Sequence, residues 1–308
     1  MFDTLVKWAG FVKLSHTIFA LPFALAAMVV AARDTRGWPG WRTFAGILAA
    51  MVCARTCAMA FNRIVDRKFD AMNPRTAMRH LPAGQISLGS AVTLCVAGGA
   101  GLVAAAWVLN PICFYLSPVA LFLVCFYSLT KRFTDYTHVW LGLALALAPL
   151  GAWLAVRGGF DLLPLRNGVV SLAHSGLLAI LLAVAVVFWL IGFDIIYALQ
   201  DYEFDKRAGL HSLVVAWGPL NALRAAFIAH LVMILLLFVF GLLSKFRVAY
   251  LIGMLVIASS LLLEHWLARR RSLNWVQNAF FRLNALVSLV FLVVTVSEVV
   301  FPGFRISR

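Results

Sequence analysis

Acidic side chains are scarce in this chain: twelve Asp and Glu stand against 26 Lys and Arg in 308 residues. Charged residues of both signs make up only 12%, about half the share of an ordinary soluble domain. So thin a charged surface excludes a water-soluble globule of this length. No Walker A loop, Gly-rich dinucleotide loop, zinc-ligand spacing or low-complexity tract occurs, which removes the corresponding nucleotide-binding and zinc-module classes. Cysteine is sparse, and Cys53, Cys57, Cys95, Cys113 and Cys125 all fall inside apolar runs. Cys53 and Cys57 share a helical face but have no His or further Cys at ligand spacing, so they read as small buried thiols. Proline and glycine gather at "RGWPGW" (36–41), "NP" (110–111) and "RGGFDLLP" (157–164). These punctuate loops and none makes a linker, so the chain reads as one domain over 1–308.

Apolar sequence is what the chain has in excess. It is 63% hydrophobic, with a mean hydropathy of +0.95. Apolar runs recur near 15–33, 41–61, 88–108, 112–130, 138–156, 173–199, 219–243, 247–267 and 279–300. Each is close to the roughly 20 residues a helix needs to cross a hydrocarbon core. The expectation is an all-α integral membrane protein of nine transmembrane helices. Lys7 and Lys13 before the first run give it the look of a signal segment, but eight further spans favour a retained helix. With the N-terminus inside, 17 of the 26 Lys and Arg fall at that terminus and around the loops after spans two, four, six and eight. The opposite side collects nine. This bias puts the loop after span two in the cytoplasm of a bacterial inner-membrane protein. It also assigns the net charge of +14 to anionic lipid and not to nucleic acid; "ARRRS" (268–272) reads as one such anchor.

The few acids are not scattered. Half of the twelve lie in two short windows, "FNRIVDRKFD" (61–70) and "FDIIYALQDYEFD" (193–205), each closing a long apolar run. Asp66 and Asp70 match Asp201 and Asp205 by spacing, and Asn62 matches Tyr197, as in a weak internal repeat. Four residues apart on a helix, two carboxylates share a face about 5–6 Å apart. Without a cation they repel and are costly to desolvate. Mg²⁺ removes that conflict, because it takes oxygen ligands and bridges carboxylates to phosphates. Two such faces brought together suit two Mg²⁺ with a diphosphate between them. The plainer reading is helix-end charge pairing with Arg63, Arg67 or Lys68. Acids at membrane depth also mark ion paths, so a cation transporter is the alternative from another class. The interleaved basic residues suit a highly charged anion better. A phosphatidyl-alcohol transferase also uses Mg²⁺ and Asp clusters, but its single compact motif is absent.

The first window resembles the N-x-x-x-D-x-x-x-D motif of the UbiA superfamily of intramembrane prenyltransferases. The second resembles its partner, D-x-x-Y-x-x-x-D-x-x-x-D, in Asp194, Tyr197, Asp201 and Asp205. "NPRTAMRHLPAGQIS" (73–87), "YSLTKRFT" (127–134) and "KRAGLHS" (206–212) agree with it. "KLSHTIFALPFA" (13–24) and "AMAFNRIVDR" (58–67) look most like the 4-hydroxybenzoate polyprenyltransferase group and its relatives. Asn62-Arg63 stands where Asn-Asp is common, and Arg79-His80-Leu81-Pro82 where Arg-Pro-Leu-Pro is usual.

The resemblance implies nine helices around a central cavity, with the motif-bearing loops as a cytoplasmic cap. It implies Mg²⁺-dependent transfer of a polyprenyl group from its diphosphate to a hydroxylated aromatic acid in ubiquinone or menaquinone synthesis. The acceptor is of 4-hydroxybenzoate type or, alternatively, 1,4-dihydroxy-6-naphthoate. On that basis Asn62, Asp66, Asp70, Asp201 and Asp205 are the expected ligands of two Mg²⁺. Arg67, Lys68, Lys131 and Lys206 are expected on the diphosphate, with headgroup anchoring as their plainer reading. Asp194 is assigned to the acceptor's hydroxyl, the alternative being a pair with Arg132, and Arg132 to the acceptor's carboxylate. His16 reads as an interfacial residue, or one that faces the cavity. Aromatic side chains are expected along the prenyl tunnel.

Overall fold

A computed structural model describes residues 2–13, 17–166, 168–269 and 279–301. His16 and Arg270–Ser272 lie outside them. Eleven α-helices are present among the described residues: α1 Phe2–Phe11, α2 Thr17–Ala31, α3 Trp41–Met72, α4 Leu88–Leu109, α5 Pro111–Phe126, α6 Thr137–Arg157, α7 Leu177–Ala198, α8 Tyr202–Arg207, α9 Leu213–Leu243, α10 Val248–Arg269 and α11 Phe281–Val300. Eight segments are long and apolar enough to cross a membrane: α3, α4, α5 with its 3-10 extension, α6, α7 running on into α8, α9, α10 and α11. The remaining expected span is α2. At 15 residues it reaches about 22 Å, short of a bilayer core. Its burial explains the shortfall, since Phe23, Ala24, Ala26, Ala27 and Val30 are almost inaccessible. The helix is apolar on all sides and packs inside the bundle against α6 and α11.

Local sequence sets the helix ends. Ser87 and Ser212 cap α4 and α9 by accepting from Ser90 N and Val215 N. Asn110 caps α5 while Pro111 fills its first turn, where a missing N–H costs nothing. Gly218 takes φ +77° ahead of Pro219, so α9 starts earlier than its apolar run and bends there. Between α6 and α7 a two-residue antiparallel hairpin pairs Leu165 with Val170 and Arg166 with Val169.

Close helix contacts and a buried polar net hold the far half of the bundle. Gly142 on α6 lies so near Val187 of α7 that a Cβ would press on its backbone carbonyl. Gly192 on α7 faces the His230 ring of α9, and a methyl group there would overlap it. That ring is fixed at both nitrogens: Nε2 donates to Trp189 O (3.2 Å) and Nδ1 accepts from His265 Nε2 (2.9 Å). Trp189 Nε1 donates to Asn284 Oδ1, whose amide donates to Glu264 Oε2, both at 2.8 Å. Four helices, α7, α9, α10 and α11, are tied by these bonds where water cannot substitute.

Candidate active site

The two Asp windows are built differently. The first sits on α3, unbroken from Trp41 to Met72. The second straddles a break: α7 ends at Ala198, a 3-10 turn spans Leu199–Asp201, and Asp205 lies on the short α8. Asp201 and Asp205 therefore do not share one regular helical face as Asp66 and Asp70 do. Both windows open onto one cavity of about 570 Å³, within the ordinary range for small-molecule sites. Along α3 its lining runs from Ile47 to Asp70, and Asn73 just beyond the helix joins it. The stretch from Ile47 to Asp66 alone covers about 28 Å of helix rise. One end is polar. The other is lined by Leu109, Leu116, Leu150, Leu154 and Phe160.

Asn62, Asp66, Asp70, Asp194, Tyr197, Asp201, Asp205, Lys131 and Arg132 all line this cavity. Arg67, Lys68 and Lys206 do not; they are exposed, and Lys206 lies over the Tyr202 ring. Helical geometry accounts for the first two, because positions one and two after Asp66 turn away from its face. Five cations not assigned to the diphosphate from the sequence line the cavity in their place: Lys13, Arg55, Arg63, Arg75 and Arg79. Arg55 lies seven residues before Asn62, two turns along the same face, and that spacing is the signal for it in the sequence.

Asp66, Asp70, Asp201 and Asp205 each meet a cation. Arg132 Nη2 lies 3.3 Å from Asp66 Oδ1 and also donates to Val65 O (2.7 Å). Asp66 Oδ2 accepts from the Asn62 amide (2.8 Å). Asp70 Oδ1 accepts from Arg79 (2.6 Å), with Arg63 3.8 Å from Oδ2. Arg75 forks onto Asp201, Nε to Oδ1 at 2.8 Å and Nη2 to Oδ2, and its third nitrogen donates to Tyr197 Oη (2.9 Å). Lys131 Nζ lies 3.1 Å from Asp205 Oδ2. Asp194 differs: its partner is the His138 imidazole, 2.7 Å away and wholly buried. Arg55 makes no ion pair among the described residues, and its Nε is buried without a hydrogen-bond partner. Burial alone would lower Arg75, but its bonds to Asp201 and Tyr197 outweigh that and hold it above the usual guanidinium value. Lys13 has no such support. Burial, then the charges of Arg63, Arg79, Arg75 and Arg55, push it down to about 7.

The donors suit a hard divalent cation. All are oxygens on Asn and Asp, and Asp70 Oδ2 is buried with no hydrogen-bond donor. Among the described residues no three His, Cys, Asp or Glu side chains converge into a closed metal cage. Mg²⁺ needs no such cage, since it is held by one or two carboxylates and completed by water and substrate phosphate.

The sequence profile of the UbiA prenyltransferase family matches residues 20–286. A 4-hydroxybenzoate octaprenyltransferase of Methylobacillus flagellatus is 31% identical over 264 residues, 85% of this chain and 83% of that protein. A UbiA homolog from Aeropyrum pernix, solved without ligand, superposes with a TM-score of 0.77 at 29% identity, covering 92% of this chain and 98% of that one. A UbiA homolog from Archaeoglobus fulgidus, bound to GPP and Mg²⁺, shares the fold with a TM-score of 0.72 at 22% identity, covering 96% and 99%. With both Asp windows on one cavity, these matches set aside the transporter reading: the chain belongs to the UbiA prenyltransferase family.

Proposed function

We propose that this protein transfers a polyprenyl group from its diphosphate to a hydroxylated aromatic acid of 4-hydroxybenzoate type, in quinone synthesis. One observation carries the reading: five carboxylates and seven cations crowd one end of a cavity whose remainder is apolar and spans the bundle. A substrate with a highly charged head and a long hydrocarbon tail has the same polarity pattern. Asn62, Asp66 and Asp70 would hold one Mg²⁺, and Asp201 and Asp205 the other. Bound there with the diphosphate, the metal supplies charge stabilisation for the departing phosphate oxygens. Lys13, Arg63, Arg75, Arg79 and Lys131 face the same space and bind those oxygens. The allylic C–O bond then ionises beside Phe193 and Phe281, aromatic rings in the cavity lining of the kind that favours a carbocation.

The acceptor enters between the windows. Arg132 is held by Asp66 and Val65 O, whereas Arg55 keeps a guanidinium free of any carboxylate in the cavity wall. Arg55 therefore takes the acceptor's carboxylate, and Asp194 its phenol. The phenol proton passes to Asp194 as a ring carbon ortho to the phenol oxygen bonds to the prenyl carbon; the ring proton then leaves that carbon for the released diphosphate, and Asp194 returns its proton to the phenolate oxygen. The test is product formation by purified protein with geranyl diphosphate. 4-Hydroxybenzoate and 1,4-dihydroxy-6-naphthoate are offered in parallel, with and without a chelator. A prenylated acid formed only with Mg²⁺ is expected. Absence of product from both acids, or turnover indifferent to chelation, overturns the reading.

A further inference from the structure

The five cavity acids divide by partner. Asp66, Asp70, Asp201 and Asp205 each lie within ion-pair distance of Arg or Lys. Asp194 is matched with an imidazole instead, His138 Nδ1 to Asp194 Oδ2 at 2.7 Å. The difference matters chemically. An imidazole donor holds one carboxylate oxygen and so fixes the direction in which the other one faces. Since an ionised carboxylate only accepts, the hydrogen on the shared edge belongs to Nδ1. Nε2 is buried with no hydrogen-bond partner among the described residues. The imidazole has one polar contact, and that contact is Asp194. His138 does not line the cavity, whereas Asp194 and the adjacent Thr137 do. Nor is the imidazole needed to join α6 to α7, because Gly142 already seats that pair against Val187 just over one turn further on.

We infer that His138 is a positioning residue for acceptor chemistry. It occupies one oxygen of Asp194, fixes the rotation of the carboxylate, and leaves the other oxygen for the phenol proton. The inference rests on the acceptor role given to Asp194. Three variants separate the two: His138→Leu, which cannot donate; His138→Asn, whose amide nitrogen lies near the position of Nδ1; and Asp194→Asn. Two readouts are taken on folded, detergent-purified protein with geranyl diphosphate and Mg²⁺. These are diphosphate release without acceptor, and prenylated 4-hydroxybenzoate across acceptor concentrations. His138→Leu is expected to keep acceptor-free release and lose up to about 100-fold in aromatic transfer, with His138→Asn recovering most of it. Wild-type transfer by His138→Leu beside a dead Asp194→Asn overturns the positioning role alone. So does equal loss of both reactions in His138→Leu with no recovery in His138→Asn. Full transfer by Asp194→Asn overturns the acceptor role underneath.

Discussion

Arg75 and Asp201 close a two-point fork across the polar mouth of the cavity, joining the turn after the first window to the broken helix that carries the second. The pair lies 126 residues apart in sequence, and Asn73 reinforces it with a bond to the same Asp201 oxygen (3.0 Å). Asp201 thus has two duties, holding the loop and offering oxygens to a metal.

That double duty separates two kinds of loss. Asp66→Asn and Asp201→Asn are each expected to slow transfer by about 10²-fold or more at saturating Mg²⁺. Asp66→Asn should melt close to the wild type, whereas Asp201→Asn turns an amide NH₂ onto the Arg75 fork and melts earlier. Asp201→Ala is expected to lower the unfolding midpoint as well, because it strands a part-buried guanidinium and the Asn73 amide. Product formation and detergent-phase melting curves read the two effects. Near-normal turnover in either Asn variant would remove the metal assignment.

Arg55→Met tests the acceptor end. A charge-assisted hydrogen bond contributes about 1.5–3 kcal/mol, so the KM for 4-hydroxybenzoate should rise roughly 10- to 100-fold. The KM for the prenyl diphosphate should hold. A matching rise for both substrates would move Arg55 to the diphosphate.

Lys13 sets a pH dependence whose sign can be worked out. Its value falls to about 7 in the fold from 10.5, so above pH 7 the free cavity holds a largely neutral amine. A bound diphosphate favours the ammonium and raises the value again. Binding therefore takes up a proton and weakens as pH climbs from 7 towards the bound-state value. For the free protein, the unfolded chain binds more protons between 7 and 10.5, so stability rises with pH across that window. Lys13→Met should flatten both trends. Calorimetric titration of geranyl diphosphate in buffers of different ionisation enthalpy measures the uptake directly.

Topology follows from charge placement. In a background without native cysteines, Ala83→Cys should react with an impermeant maleimide from the cytoplasmic side, and Asp161→Cys from the other. Both positions are exposed. The reverse pattern would put the windows on the face away from a cytosolic substrate.

The Asp windows were legible because acids are costly in apolar sequence and therefore conspicuous there. The cations were not. In a chain biased by the positive-inside rule, Arg75 and Arg79 look like headgroup anchors, and only the tertiary pairing with Asp201 and Asp70 distinguishes them. Arg63, alone of the three, was expected to pair with a window acid, and it does. Arg67 and Lys68 show the opposite side: as cations suited to phosphate they were expected on the diphosphate, while α3 turns them outward. The break at Leu199–Asp201 carried no proline or glycine to announce it. His138 sits 56 residues from Asp194, and no local pattern links them. Only the packing of α6 on α7 does.

Gly192 has no polar atom in its side chain and touches no substrate, yet it governs a clearance. It lies two residues before Asp194 on α7, against a His230 ring pinned at both nitrogens. With the ring unable to swing aside, a single added methyl acts as a shim between α9 and α7 and pushes on α7. Asp194, Tyr197 and the second window ride on that helix, so Gly192→Ala would shift them together against the first window with every catalytic side chain still in place. A neutral-looking substitution in the lipid-embedded part of the bundle can thereby put the two metal-binding halves out of alignment.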